Sequence, residues 1–159
     1  MSCKTGKFSV RMGGLFVALL ALTAFASTRR KPPEPPFQYA AGTERVAPSC
    51  GGNLEVTADA LVFKCPSATL SMRFASIDFM EYRSDISKRV RKLGLPWQVE
   101  LERRHPRRNR YFTVVYKQEA AATHVVVLKV SPTAMRPYLA EIELKSGKRV
   151  EVMGYEDYE

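Results

Sequence analysis

Alternating apolar and polar residues dominate the chain from about residue 50 to residue 130, and this alternation predicts short β-strands. Two such runs, Asn53–Thr57 and Ala60–Cys65, are separated by only two residues. A two-residue turn at this place sets Val56 opposite Leu61, so that the apolar faces of the two strands coincide. We therefore expect a β-hairpin in that register.

Five further runs predict strands, each bounded by residues that favour turns. They are Thr69–Phe74, Ile77–Tyr82, Trp97–Leu101, Arg110–Tyr116 and His124–Val130. A short helix, Ile86–Leu93, interrupts the series after the fourth strand, because Ser84 and Asp85 suit the start of a helix. Residues 39–49 fit either a loop or a first edge strand, and residues 148–153 fit a short closing strand.

After the last of these strands the apolar residues take up helical spacing, over about Thr133–Ser146. The apolar members of this helix are Met135, Tyr138, Leu139 and Ile142. Pro137 stands near the start, where a missing N–H is tolerated, and Gly147 is suited to the C-cap. Seven strands and one C-terminal helix indicate a mostly β protein.

The order of these elements is four strands, a connector, three strands and a helix, and it resembles the pleckstrin-homology-like (PH-like) fold. In that fold a four-stranded and a three-stranded sheet pack nearly orthogonally as a barrel or sandwich, and a C-terminal helix caps one open end. The resemblance covers about Asn53–Val152. Members that bind phosphoinositides carry basic residues where the first strand ends and the second begins. Here that position, Glu55–Asp59, has no lysine or arginine, so the resemblance does not extend to that ligand site.

The first 26 residues have the pattern of a signal peptide. Lys4, Lys7 and Arg11 precede the apolar stretch Leu15–Phe25, and the residues up to Ala26 fit the small-x-small cleavage pattern. Cleavage after Ala26 would release the chain as a secreted or periplasmic protein. The sequence therefore predicts export.

The same segment also fits an uncleaved membrane anchor. Residues 12–28 are 17 uncharged residues, which is the lower limit for spanning a bilayer. Arg29, Arg30 and Lys31 follow directly, and positive charges at this place disfavour translocation and cleavage. An anchored chain would be a single-pass membrane protein. Both alternatives place the following domain outside the cytoplasm, in the periplasm or the cell envelope.

Composition divides the chain into four segments. They are the signal peptide or anchor 1–26, a proline-rich basic linker 27–44, the PH-like domain 45–153 and an acidic tail 154–159. The formal net charge of the whole chain is +9, from 25 lysines and arginines against 16 acidic residues. A positive balance permits anionic partners without identifying them.

Cys50 and Cys65 are the two cysteines that follow the targeting segment. In the register of the predicted hairpin both point to the same face, and Gly51 and Gly52 would let the chain curl inward between them. An oxidising compartment favours a disulfide, and the alternative is a pair of buried free thiols. Their spacing matches neither a metal site nor a redox CxxC motif.

The positive charge is concentrated between residues 88 and 110. This segment has nine basic and two acidic residues, a balance of +7 in 23 residues. The basic residues are Lys88, Arg89, Arg91, Lys92, Arg103, Arg104, Arg107, Arg108 and Arg110. One interpretation is a solvated helix face and hairpin tip. The other is a binding surface for anionic lipid head groups or an acidic protein partner.

No pattern of residues in the sequence indicates catalysis. No serine or cysteine lies in a nucleophile elbow, and no metal-ligand or cofactor motif is present, so we name no catalytic, cofactor-binding or metal-binding residue. His105 and His124 are interpreted as structural or solvated. The expected extracytoplasmic location makes nucleic acid an unsuitable partner. We expect a non-enzymatic, exported binding or scaffolding module; the alternative is a small extracytoplasmic hydrolase with a site between helix and sheet.

Overall fold

The computed structural model describes residues 34–93, 110–118 and 122–153. All of them belong to the second of the two units into which the chain divides, Pro33–Glu159. The strands are β1 Phe37–Gly42, β2 Gly51–Val56, β3 Ala60–Cys65, β4 Ala68–Arg73, β5 Ile77–Arg83, β6 Arg110–Lys117, β7 Thr123–Val130 and β8 Val150–Val152. The helices are α1 Lys88–Arg91 and α2 Pro132–Ser146, and a single 3-10 turn, Phe74–Ser76, joins β4 to β5.

The strands form one sheet in the order β4-β3-β2-β1-β7-β6-β5-β8. Neighbouring strands are antiparallel, except that β8 runs parallel to β5. The sheet does not close within the described residues, so β4 and β8 are its two edges. The protein is mostly β with one main helix near the C-terminus, as the sequence predicted.

The predicted count of seven strands is wrong, since the described residues alone contain eight. β1 lies partly in residues 39–49, which fitted either a loop or an edge strand, and it lies entirely within the predicted linker 27–44, so the sheet begins before the predicted domain start at residue 45. The predicted fourth strand is therefore the fifth of the structure. The predicted strand Trp97–Leu101 lies outside the described residues.

The register of the first predicted hairpin is confirmed. Val56 lies opposite Leu61 and Leu54 lies opposite Phe63 in the β2–β3 ladder. All four side chains are buried, and this common apolar face explains why the register can be read from the sequence.

The central strands β1, β7, β6 and β5 have apolar side chains on both faces. On one face Phe112 and Val114 of β6 join a large core together with β2–β4 and α2. On the other face Tyr111 and Val115 of β6 pack in a second cluster with Val90 of α1. The central strands thus have the core that includes α2 on one face and the cluster that includes Val90 of α1 on the other.

Local signals in the sequence fix both ends of α2. The Ser131 side chain accepts a hydrogen bond from the N–H of Ala134 at 3.3 Å, and Pro132 occupies the first turn. At the other end Gly147 adopts the left-handed conformation, with φ of 64°. Met135 and Ile142 are fully buried against the sheet, which orients the helix.

Candidate functional site

Helix α1 is held on the sheet by buried apolar residues and by its cap. Val90 is 1% exposed, and Ile86, just before the helix, is 3% exposed. The Ser87 hydroxyl accepts a hydrogen bond from the N–H of Val90 at 3.2 Å. The backbone N–H of Ser87 donates to the buried carboxylate of Glu81 at 3.3 Å. These contacts hold the single turn of α1 against the sheet, and Val90 is the one residue of the helix that is buried.

The four basic residues of α1 and its C-cap, Lys88, Arg89, Arg91 and Lys92, are all exposed. The guanidinium of Arg89 lies 3.7 Å from the centre of the Phe79 ring and 3.3 Å from the carboxylate of Glu151. Arg91 Nε donates to the carbonyl of Ile86 at 3.0 Å. The ammonium groups of Lys88 and Lys92 contact no acidic group among the residues that the structure describes.

Arg110, the last residue of the predicted basic surface, is 5% exposed. Its Nη1 donates to the carbonyl of Met153 at 2.6 Å. Its guanidinium also lies 5.8 Å from the centre of the Tyr82 ring. Arg110 therefore ties β6 to the end of β8 and does not present its charge on the surface. The remaining predicted residues, Arg103, Arg104, Arg107 and Arg108, lie outside the described residues.

The Cys50–Cys65 disulfide predicted from the sequence is present, with the two Cα atoms 6.0 Å apart. It joins the chain just before β2 to the end of β3. A Cβ atom on Gly52 would lie 2.1 Å from the carbonyl oxygen of Lys64, so the close approach of the two strands requires glycine there. The Ser67 hydroxyl lies 3.0 Å from Cys50 Sγ.

A cluster of hydrogen-bonded polar side chains lies at the opposite end of β6 from Arg110. Glu44, in the loop after β1, accepts a hydrogen bond from the Tyr116 hydroxyl at 2.7 Å. Nδ1 of His124 lies 2.7 Å from the same carboxylate oxygen. The Tyr39 hydroxyl donates to the backbone carbonyl of Glu44 at 3.2 Å, and the Thr43 hydroxyl accepts from the N–H of Val125 at 3.0 Å. We call these residues the Glu44 cluster.

The Glu44 cluster raises the pKa values of both tyrosines. Burial is the main cause for Tyr39, and together with the negative charge of Glu44 it raises the pKa of that hydroxyl to about 12. Burial, the hydrogen bond to Glu44 and the charge of Glu44 raise the pKa of Tyr116 as well. Both hydroxyls therefore stay protonated and act as donors at physiological pH.

This arrangement joins three segments of the chain but supplies no nucleophile with an adjacent base. From the sequence, His124 is interpreted as structural or solvated, and no role is expected for Glu44. The two residues are 80 positions apart, so no local motif marks their contact. The described residues contain no group of three His, Cys, Asp or Glu side chains that would hold a metal ion.

A polar depression of about 290 Å³ lies beside Tyr116, between the end of β6 and the edge strand β4. Its lining residues are Ser71, Arg73, Ser76, Tyr116, Lys117 and Gln118. Two of them are cations and none is acidic. Among the described residues, the carboxylate of Asp78 contacts one of these cations, at 3.5 Å from the ammonium of Lys117. We call this feature the β4 depression.

Neither helix in the described part of the chain is long and apolar enough to cross a bilayer. Comparison with known protein families finds no family model that matches this chain, and comparison with curated proteins finds no similar sequence. Any function must therefore be argued from the surfaces described above.

Proposed function

We propose that the chain is a non-enzymatic, extracytoplasmic binding module of the PH-like type that contacts an anionic membrane surface through α1. The observation that carries this proposal is the composition of α1. Its one apolar residue, Val90, is buried, and the adjoining positions Lys88, Arg89, Arg91 and Lys92 are all cationic and exposed. Clustered exposed cations attract anionic head groups, each contributing about 1 kcal/mol near a charged leaflet.

The strand order supports the PH-like part of the proposal. β1–β4 form a four-stranded meander, β5–β7 form a three-stranded one, and the two join through β1 and β7. α2 follows the seventh strand directly. With β1 included, the loop between the first two strands is residues 43–50, and Arg45 is its only basic residue. Because this loop has a single basic residue, the proposed contact with anionic lipid uses a different part of the protein from the one that phosphoinositide-binding members use.

The extracytoplasmic part of the proposal is supported by the targeting pattern and by the disulfide. A disulfide persists in an oxidising compartment, and Cys50–Cys65 is formed. If residues 12–28 stay in the membrane, the eight residues from Arg29 to Pro36 extend over at most about 28 Å before β1 begins. The domain would then remain within reach of the head groups.

The absence of enzymatic activity is supported by the packing of α2. A hydrolase site between helix and sheet, the alternative function, requires convergent polar groups in that interface. The described interface is mostly apolar: Met135 and Ile142 are fully buried, and the Tyr138 ring packs edge-on against Phe37 with the centroids 5.0 Å apart. Its polar contacts are bonds to backbone groups, from the Lys145 ammonium to the carbonyl of Val56 and from the N–H of Val150 to the carboxylate of Glu143.

Vesicle sedimentation tests the membrane contact. The chain from Ser27 onward should sediment with vesicles of phosphatidylglycerol and phosphatidylcholine, and much less with phosphatidylcholine alone. Binding should weaken at high salt, because exposed charges are screened beyond about 8–10 Å. Replacing Lys88, Arg91 and Lys92 with glutamine should remove most of the binding and leave the melting temperature nearly unchanged.

A matched control variant has the same net charge as the α1 variant but leaves α1 unchanged. Arg45, Arg136 and Arg149 are exposed and lie outside α1, so their replacement with glutamine removes the same three charges. This control should retain binding close to that of the parent. Equal loss in both variants would show a nonspecific charge effect. No binding by the parent at low salt would contradict the membrane contact and favour an acidic protein as the partner of α1.

A further inference from the structure

Strand β4 has one edge that no described residue pairs with, since it is bonded only to β3. The register shows which backbone groups that edge carries. Cys65 and Ala68 close the two-residue turn between the strands, and beyond the far end the N–H of Phe74 donates to the carbonyl of Asp59 at 2.8 Å. Hydrogen-bonded pairs alternate with non-bonded pairs along an antiparallel ladder. Ala68, Leu70 and Met72 therefore bond to β3.

The remaining residues of β4, Thr69, Ser71 and Arg73, direct their N–H and C=O groups away from β3. The carbonyl of Arg73 accepts a hydrogen bond from the Ser76 hydroxyl at 2.8 Å. No described residue bonds to the outward backbone groups of Thr69 and Ser71. All three residues are exposed, and no strand among the described residues pairs with this edge. An open edge of this kind is a template for one further strand.

The β4 depression lies against this edge and determines the chemistry of what fits there. Arg73 contributes an exposed guanidinium that makes no ion pair with any described residue. Lys117 contributes an ammonium whose only described acidic contact is Asp78 at 3.5 Å, with both side chains solvent-exposed. Hydroxyls of Ser71 and Ser76 and the amide of Gln118 add hydrogen-bonding groups. The depression is thus suited to a carboxylate.

We infer that the open edge of β4 binds an extended acidic peptide segment of a partner protein as an added strand. Main-chain hydrogen bonds to Thr69, Ser71 and Arg73 hold the peptide, and these bonds do not depend on its sequence. An acidic side chain of the peptide lies in the β4 depression between Arg73 and Lys117, and the charge-assisted hydrogen bonds formed there select for carboxylate.

Charge decides between this occupant and a second copy of the chain. Pairing of two β4 edges would supply no carboxylate to Arg73 or Lys117, because β4 contains no acidic residue. An acidic peptide instead neutralises both cations. The inference is independent of the proposed membrane contact, because the cations of α1 and the residues of the β4 edge and depression have no member in common.

Fluorescence anisotropy of a labelled peptide tests the inference with the full chain in mild detergent. The probe is a capped peptide of sequence TVEVEVT, whose two glutamates share one face of a strand. The matched probe TVQVQVT removes only the charge, and a third probe carries N-methyl groups on alternate residues. The parent protein should bind the glutamate probe about tenfold more tightly than the glutamine probe, because hydrogen bonds to charged groups are the stronger ones. It should not bind the N-methylated probe.

Variants of β4 locate the binding. Ser71→Pro removes an outward N–H without removing a bond to β3, so it should abolish binding. Ser71→Ala keeps that N–H and loses only the hydroxyl in the β4 depression, so it should bind more weakly than the parent without losing binding. Replacing Arg73 and Lys117 with glutamine should abolish the preference for glutamate over glutamine while weaker main-chain binding persists. The inference would be overturned by equal affinity of the parent for both charged and uncharged probes. It would also be overturned if the variant with Arg73 and Lys117 replaced kept the parent's preference for glutamate.

Discussion

Glu44 connects three parts of the described chain through a single side chain. Its carboxylate accepts from Tyr116 of β6 and contacts His124 of β7, while the loop that carries it follows β1. Buried polar groups stabilise a fold only when their hydrogen bonds are satisfied, and each lost partner leaves a desolvated group behind. The Glu44 cluster therefore fixes the path of the loop between β1 and β2 against the β6–β7 hairpin.

The raised pKa values of the two tyrosines make stability depend on pH in the alkaline range. Tyrosines of the unfolded chain ionise near pH 10, whereas the pKa of Tyr39 in the folded protein is about 12. Above pH 10 the unfolded chain releases a proton that the folded protein keeps, so the free energy of unfolding decreases as the pH rises. This contribution is complete below pH 10 and is lost as the pH rises through about 12.

Urea unfolding between pH 8 and pH 11 should show this decrease. Tyr39→Phe should reduce the loss of stability at pH 11 by about 1 kcal/mol relative to the parent, since one titrating group is removed. Tyr138→Phe serves as a control, because it removes a hydroxyl outside the Glu44 cluster. Lysines also titrate in this range, and the comparison of variants cancels their contribution. If the free energy of unfolding of Tyr39→Phe decreased with pH as steeply as that of the parent, the raised pKa of Tyr39 would be contradicted.

At the scale of elements, the Cys50–Cys65 disulfide holds β2 and β3 together at the end away from their turn. It closes a loop of 15 residues, for which the chain-entropy relation gives about 3 kcal/mol of stabilisation. Reduction of the chain from Ser27 onward should lower the free energy of unfolding by about that amount. Thiol labelling of the denatured, unreduced chain should modify neither cysteine.

The variant with both Cys50 and Cys65 replaced by serine provides the control for this prediction. Its stability should equal that of the reduced parent and should not change on addition of reductant. Labelling of both cysteines in the unreduced parent would refute the disulfide in the purified protein.

Elements could be predicted from the sequence where local chemistry determines them. The β2–β3 hairpin follows from a two-residue turn and coincident apolar faces, and α2 follows from its helical spacing and from Gly147. β1, by contrast, has the sequence FQYAAG, which has few strong strand formers. Its main partner is β7, and the pair Phe37 and Val130 is 93 residues apart in the chain. Tertiary pairing therefore determines this strand, because the local pattern fits a loop as well as a strand.

At the scale of the whole molecule, the candidate sites differ in how far each could be predicted from the sequence. The basic residues of α1 and its C-cap fall within five consecutive positions, so their concentration is visible directly in the chain. The β4 depression combines residues from β4, the 3-10 turn and the end of β6. The Glu44 cluster combines residues from β1 and the loop after it with residues from β6 and β7. Both depend on the sheet order, which places these segments together.

The two proposed surfaces share no residue. The membrane contact uses the cations of α1 and its C-cap, and the peptide contact uses β4, the 3-10 turn and the end of β6. We predict that the protein binds both ligands at once and carries the labelled TVEVEVT peptide onto phosphatidylglycerol vesicles.

Sedimentation of the labelled peptide with vesicles measures this bridging directly. The peptide should sediment only when the chain from Ser27 onward is present. The variant with Lys88, Arg91 and Lys92 replaced by glutamine should bind the peptide in solution and fail to carry it to vesicles. Ser71→Pro should bind vesicles and leave the peptide in the supernatant, because each change removes one surface and leaves the other intact. Release of bound peptide when vesicles are added to the parent would contradict the prediction, since it would show that the membrane and the peptide compete for one surface.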